Sequence, residues 1–174
     1  MVDTAIFLGA GASKAEGAPL QGELFREYFS SDLFRPGQDV MDRELAAFFQ
    51  EMFQIDIADG HVREIEFPIF EEVLGLTDLA IIRKEAFKHF DVENRAANSG
   101  RLRFIAQYLV FLVAKVLDAK LRDRAEFHRR LVNALGEANE LRNVVFISTN
   151  YDILIDNALT AQRQERGDRS RLWG

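Results

Sequence analysis

Two short polar turns carry most of the side chains in this sequence that could do chemistry. The first, Gly9-Ala10-Gly11-Ala12-Ser13, follows the apolar run Thr4-Ala5-Ile6-Phe7-Leu8. Glycines at the end of a strand let the backbone approach a ligand closely. The N–H groups that open the next helix favour an anion such as a diphosphate. Ser13 can cap that helix or donate to a phosphate oxygen. A tight turn with no ligand is the competing reading, and this is not a P-loop, because Lys14 follows Ser13 where Gly-Lys-Ser/Thr would be needed. The second turn, Thr149-Asn150-Tyr151-Asp152, follows the β-branched run Asn143–Ser148. It sets an amide and a carboxylate where a strand meets its helix, at the edge where open α/β sheets bind ligands. Capping by Thr149 or Asp152, with Asn150 completing the turn, is the competing reading there. If the two strands are adjacent and parallel, both turns come to one edge of one sheet.

The elements that would position them follow from periodicity. Thr4–Leu8 and Asn143–Ser148 are continuous apolar runs bounded by turn residues, as expected of strands buried on both faces of a parallel sheet. Between them the pattern is helical. Met41, Leu45, Phe48, Phe49, Met52 and Phe53 fall on one helix face. A helix is expected from Pro68 through Leu74, broken or bent at Gly75, with a further segment from Leu79 to Phe90. Arg101 to Lys120 is apolar almost all round and reads as a central, buried helix. In Arg122 to Leu135 the apolar face is Phe127, Leu131 and Leu135. A last helix is expected from Ile153 to Gln164. Asp56–Gly60 and Asn94–Gly100 read as loops. The fold class is therefore α/β: a Rossmann-like parallel sheet with a large helical insertion between its first two strands. Two strands leave such a sheet incomplete, since doubly wound sheets usually have five or six. The chain is read as a single domain over 1–174, truncated at its C-terminus or completed by a partner.

Composition narrows the function. The 174 residues are 48% hydrophobic and 29% charged, enough for a core. The net charge of −6 argues against direct binding of nucleic acid. With no cysteine in the chain, disulfides, Cys-ligated zinc, iron–sulfur clusters and thiol catalysis are all excluded. Met1 and Asp3 do not begin a signal peptide. The longest apolar stretch, Phe104 to Ala114, is far short of the ~20 residues that span a bilayer. The expected location is cytoplasmic, with no membrane partner. Charge is unevenly spread: Lys14–Gly75 has 5 basic and 14 acidic residues, whereas Leu76–Arg142 has 13 and 9. Solvated helix faces explain this, as does a basic half turned towards an anionic ligand or acidic partner. Glu23 and Asp32 fall where a dehydrogenase would place its ribose-binding carboxylate, but no strand precedes either, which disfavours hydride transfer.

Taken together, Phe7-Leu8-Gly9-Ala10-Gly11-Ala12-Ser13, with Gly17-Ala18-Pro19 after it, resembles the opening of sirtuin-like NAD-consuming domains. Phe146-Ile147-Ser148-Thr149-Asn150-Tyr151-Asp152 is similar to their second strand and turn in the bacterial branch, and Phe70-Glu71-Glu72-Val73-Leu74 resembles a weaker motif on an intervening helix. The resemblance implies cleavage of the nicotinamide–ribose bond of NAD+, bound as substrate without a metal. It implies that Gly9, Ala10, Gly11, Ala12 and Ser13 cradle the diphosphate and that Pro19 shapes the covering loop. Thr149, Asn150 and Asp152 would line the nicotinamide side, Asn150 orienting a ribose hydroxyl or the attacking water and Asp152 bonding the carboxamide. Members of that branch often hydrolyse NAD as antiphage effectors, so a homo-oligomer or an associated sensor module is an implied partner. The chain departs from deacylating sirtuins in lacking the four zinc cysteines and in having Leu20-Gln21 where Asp-Phe-Arg would start. A protein deacylase is thereby disfavoured. The family's histidine base lies downstream of the Asn-x-Asp segment, and no histidine follows His128. His61 reads as a surface loop residue, and His89 and His128 as structural or solvated. A base beyond Gly174, or a non-catalytic nucleotide-binding or assembly module, are the two ways to accommodate this.

Overall fold

A computed structural model describes residues 3–57, 61–84, 95–122 and 126–165, with side chains from residue 100 onwards in the third segment. Strand β1 (Thr4–Leu8) is followed by helices α1 (Ala10–Lys14), α2 (Leu24–Phe29), α3 (Val40–Phe53), α4 (Phe70–Arg83), α5 (Arg95–Leu121) and α6 (Glu126–Glu137). Strand β2 (Val144–Ser148) and helix α7 (Leu154–Glu165) complete the order, with single 3-10 turns at Val62–Glu64 and Leu141–Asn143. Among the described residues the protein is thus mostly helical with a small two-stranded parallel sheet, compatible with the α/β class. Among the described residues, no helix is long and apolar enough to cross a membrane. The contacts divide the chain into two compact units, Met1–Leu20 with Leu117–Gly174, and Gln21–Val116.

In the first unit, β1 and β2 pair in register from Thr4↔Val144 to Leu8↔Ser148. The pairing continues one residue each way, where Asp3 N donates to Asn143 O (2.9 Å) and Thr149 N to Leu8 O (3.3 Å). Side chains alternate across a strand, so Ile6, Leu8 and Phe146 share one face, packed on Val132 of α6 and on Ile155, Ala158 and Leu159 of α7. The expectation of burial on both faces fails. Phe7, Val145 and Ile147 stand 64%, 41% and 46% exposed on the opposite face, because α6 and α7 both pack on the same side of the sheet. The inward face of α6 also differs from the one expected: His128, Val132 and Gly136 are buried while Phe127 is exposed. The buried stripe lies one residue along, because the polar His128 has a partner inside.

The second unit is built on aromatic packing. Phe25 meets Phe49 edge-on with ring centres 4.8 Å apart, and Phe29 meets Phe34 and Phe49 in the same way at 5.0 and 5.1 Å. Phe25, Phe48, Phe49 and Phe70 are buried in this core. Asp39 caps α3 by accepting from Met41 N at 2.8 Å. Helix α4 starts two residues later than Pro68 and runs unbroken through Gly75, since one exposed glycine costs only ~1 kcal/mol. The span 85–90 of the expected Leu79–Phe90 segment, His89 included, lies outside the described residues, as do 58–60 of the Asp56–Gly60 loop.

Two further expectations are corrected by α5. Residues 95–100 are helical instead of a loop, because extending an existing helix is far cheaper than nucleating one. The helix is not buried all round either: Leu102, Ile105, Leu109, Leu112 and Val116 are inside, but Phe104, Val110 and Phe111 are exposed. Within the second unit a buried polar cluster holds Tyr108 and Lys115 of this helix. Asp42 accepts from Tyr28 Oη (2.5 Å), Tyr108 Oη (2.7 Å) and Arg35 N (2.6 Å), while Lys115 Nζ donates to Tyr28 Oη at 3.1 Å.

Candidate functional site

The turns that follow β1 and β2 meet at the carboxyl end of the sheet. This follows from the register: Leu8 and Ser148 are partners, so the residues after each emerge side by side. Ser13 links them. It is buried in α1, donates from Oγ to Asp152 Oδ2 at 2.5 Å and accepts from Asn150 Nδ2 at 2.7 Å. Asn150 Nδ2 also donates to Gly9 O at 3.1 Å. A carbonyl can only accept, so this contact fixes which end of the amide faces the first turn. Asn150 Oδ1 is then the end left to accept from another molecule. Asp152 Oδ1 accepts from Leu154 N at 3.1 Å, so the carboxylate also tethers the start of α7, the capping role considered for it. Thr149 joins only through its backbone bond to Leu8, and Asn150 N donates to Ser148 Oγ at 3.1 Å.

The glycines of the first turn are required neither by conformation nor by crowding. Gly9 is in extended backbone at φ −99°, and a Cβ built on Gly9 or Gly11 would meet nothing within 4 Å. Open space therefore lies over the turn, as the approach of a ligand needs. α1 is only five residues long, so its macrodipole is small, and any grip on an anion would come from the N–H groups of its first turn. Gly17 is different. Its φ of 100° lies in the left-handed region, which ends α1 and turns Ala18 into a small core with Leu121 and Leu154. Pro19 follows, half-buried, so the Gly17-Ala18-Pro19 signal has a structural cause of its own.

Beneath the first turn lies a residue that periodicity did not single out. Glu16 is 4% exposed, and its carboxylate accepts from the N–H groups of Glu126, Phe127 and His128, the first turn of α6, at 3.1, 2.7 and 3.1 Å. His128 Nδ1 lies 3.0 Å from the same carboxylate and must carry its proton there when Glu16 is ionised. Burial pushes the Glu16 carboxyl up, but the His128 ring and the three N–H groups outweigh it and hold it below its ordinary range. A carboxylate at a helix start is favourable, but its partners lie 110 to 112 residues away in sequence. A group depressed on folding contributes stability above its unfolded pKa, which is lost as pH falls through the folded value. Urea unfolding is accordingly expected to show stability declining below about pH 4.3, and Glu16→Gln is expected to flatten that acid limb.

Of the residues singled out from sequence, Gly9, Ser13, Asn150 and Asp152 are brought into direct contact. Ala10, Gly11 and Ala12 form the turn of helix beside them, and Thr149 flanks them on the β2 side. Phe70-Glu71-Glu72-Val73-Leu74 belongs to the other unit, where Phe70 and Val73 enter the core and Ile69 N donates to Glu72 Oε2 at 3.3 Å. His61 is an exposed residue ahead of the 3-10 turn, and His128 is structural. Neither hydrogen-bonds to Ser13, Asn150 or Asp152. Among the described residues, no group of three or more acidic or histidine side chains could hold a metal. Ser13→Ala removes two of the three side-chain bonds that tie the turns together, leaving Asn150 Nδ2 on Gly9 O, and is expected to cost about 1–2 kcal/mol in urea unfolding, since water can partly replace them.

No protein-family model, curated protein or solved structure matches this chain.

Proposed function

We propose that this protein binds NAD+ across the two turns and hydrolyses its nicotinamide–ribose bond. In this reading β1, the helical excursion and β2 are the opening of a Rossmann-like sheet. The observation that carries the proposal is the Ser13–Asn150–Asp152 bridge, which joins a glycine turn to an amide and a carboxylate at the carboxyl end of two parallel strands. The open space over Gly9 and Gly11 fits a diphosphate pressed against backbone. Asn150 Oδ1 would accept from a ribose hydroxyl or from the attacking water. Asp152 would exchange its bond to Ser13 for one to the nicotinamide carboxamide. Cleavage builds positive charge on the anomeric carbon while the ring leaves neutral, so Asn150 Oδ1 on the ribose side would act where charge grows, and Asp152 would position the leaving ring. No metal is required for that departure. An effector role in antiphage NAD depletion, in the cytoplasm and with a homo-oligomer or sensor module, belongs to the same reading through the sirtuin-like resemblance.

A second reading is a non-catalytic nucleotide-binding or assembly module. It is favoured by one observation: no described histidine bonds to the bridge, so a base for water is not in hand. Both are tested by incubating the full chain with NAD+, following nicotinamide release by chromatography and binding by calorimetry. Release supports the hydrolase, saturable binding without release selects the module, and neither removes both.

A further inference from the structure

The outward side of α4 carries a pattern that the NAD reading does not use. Phe70, Val73, Thr77 and Ala80 of this helix are buried, yet Leu76, Leu79 and Ile82 stand 45%, 43% and 77% exposed. The exposed residues Ile69, Glu72, Leu76, Leu79 and Arg83 succeed one another at steps of 3, 4, 3 and 4. That alternation keeps a seam of side chains turned to a second helix.

The charges on the seam define what fits it. It is apolar at the middle, acidic near its start at Glu72 and basic near its end at Arg83. A helix lying antiparallel about a twofold axis between Thr77 and Asp78 sets Leu76 against Leu79 of the second copy. The same operation sets Glu72 against Arg83 of the second copy, because both pairs are centred on one point of the sequence. A parallel arrangement would instead oppose Glu72 to itself and Arg83 to itself. Such self-complementarity under a twofold is what an isologous interface requires. Gly75, at the rim of the seam, leaves open space within 4 Å of a built Cβ, so a second backbone can come close. The uncovered face of the sheet in the other unit has no comparable charge pattern to define a partner.

We infer that α4 is a self-association surface on which a second copy of this chain docks antiparallel, Leu76 and Leu79 at its centre and Glu72–Arg83 pairs at both ends. An interface built on one 14-residue helix falls at the low end of specific contacts, under ~1,200 Å² in total, so the dimer is weak and reversible. Sedimentation velocity on the full chain across a concentration series is expected to show a monomer–dimer equilibrium. Leu79→Glu places two like charges near the axis and is expected to weaken it at least ~10-fold. Glu72→Arg or Arg83→Glu alone is expected to weaken it, and E72R/R83E together to restore it. The chain has no cysteine, so L76C/L79C is expected to cross-link into covalent dimers under mild oxidant, and L76C alone far less. Helical circular dichroism reports whether each variant is folded. A folded chain that stays monomeric up to ~0.5 mM, far above a micromolar Kd, overturns the inference and leaves the seam to a helix of another protein. A dimer indifferent to Leu79→Glu and to the charge swaps overturns it equally.

Discussion

Asn150→Ala is expected to lower nicotinamide release by roughly 10²–10³ in kcat, with KM for NAD+ nearly unchanged, the scale on which one preorganised polar group acts. On the NAD-cleaving reading the loss has two sources. Nδ2, held on Gly9 O at 3.1 Å and Ser13 Oγ at 2.7 Å, fixes the amide plane, so Oδ1 is aimed before substrate arrives. Alanine removes that acceptor together with two of the three side-chain bonds between the turns. Asn150→Asp is a sharper companion, because it keeps the shape but turns an acceptor towards the Gly9 carbonyl. It is expected to be as inactive as alanine. On the same reading, calorimetric binding of NAD+ should survive in both, since the diphosphate would be gripped by the first turn. Nicotinamide release by Asn150→Ala at the parental rate would remove this residue, and with it the proposed mechanism.

Asp42→Ala is expected to destabilise the second unit by about 3–5 kcal/mol, a large part of the 5–15 kcal/mol that holds an ordinary domain together. The carboxylate is fully buried. Two phenols, the Arg35 N–H and, through Tyr28, the Lys115 ammonium all converge on it. Its removal leaves those donors facing apolar surroundings. Asp42→Asn keeps one acceptor oxygen and is expected to lose about half as much. The readout is the urea midpoint with its slope unchanged. The same cluster sets an alkaline limit. Burial, then the bond to Asp42 and their mutual contact, pushes the Tyr28 phenol well up, and burial with Asp42 does the same to Tyr108 against the lowering bond from Tyr28. Groups raised on folding add stability below their unfolded pKa and lose it as pH rises above, so this contribution falls beyond about pH 10.

Which parts of this were legible in the sequence depended on how local the signal was. Thr4–Leu8 and Val144–Ile147 announce themselves by five and four consecutive apolar or β-branched positions closed by glycine or by polar turn residues, and α3 by its i, i+4, i+7 stripe. The meeting of the two turns was readable too, because it needs only that two parallel strands be neighbours, but the bonds of Ser13 to Asn150 and Asp152 were not. Glu16 was not readable. It is a charged residue in a charged region, and only folding brings the start of α6 onto it. Tyr28, Asp42, Tyr108 and Lys115 escaped notice for the same reason, since Tyr28 and Lys115 are 87 residues apart. The exposed side of α5 was hidden by composition: where every face of a helix is apolar, periodicity cannot say which one meets water. The short helices α1 and α2 give too few turns for a period to register.

Among the described residues each strand is an outer strand of its sheet, and neither Thr4–Leu8 nor Val144–Ser148 contains a charge or a proline. Proteins commonly blunt such rows of bare peptide groups with lysine, proline or a bulge. Here α6 and α7 shield one side, and the other shows Phe7 and Ile147 to water. The species most prone to irreversible clumping is consequently one in which those two helices have lifted while the strands persist. Shelf life of a concentrated preparation is then governed by how often that lifting occurs, and a substitution tightening Val132 against Ile155 should lengthen it without altering the midpoint of global unfolding in the same proportion.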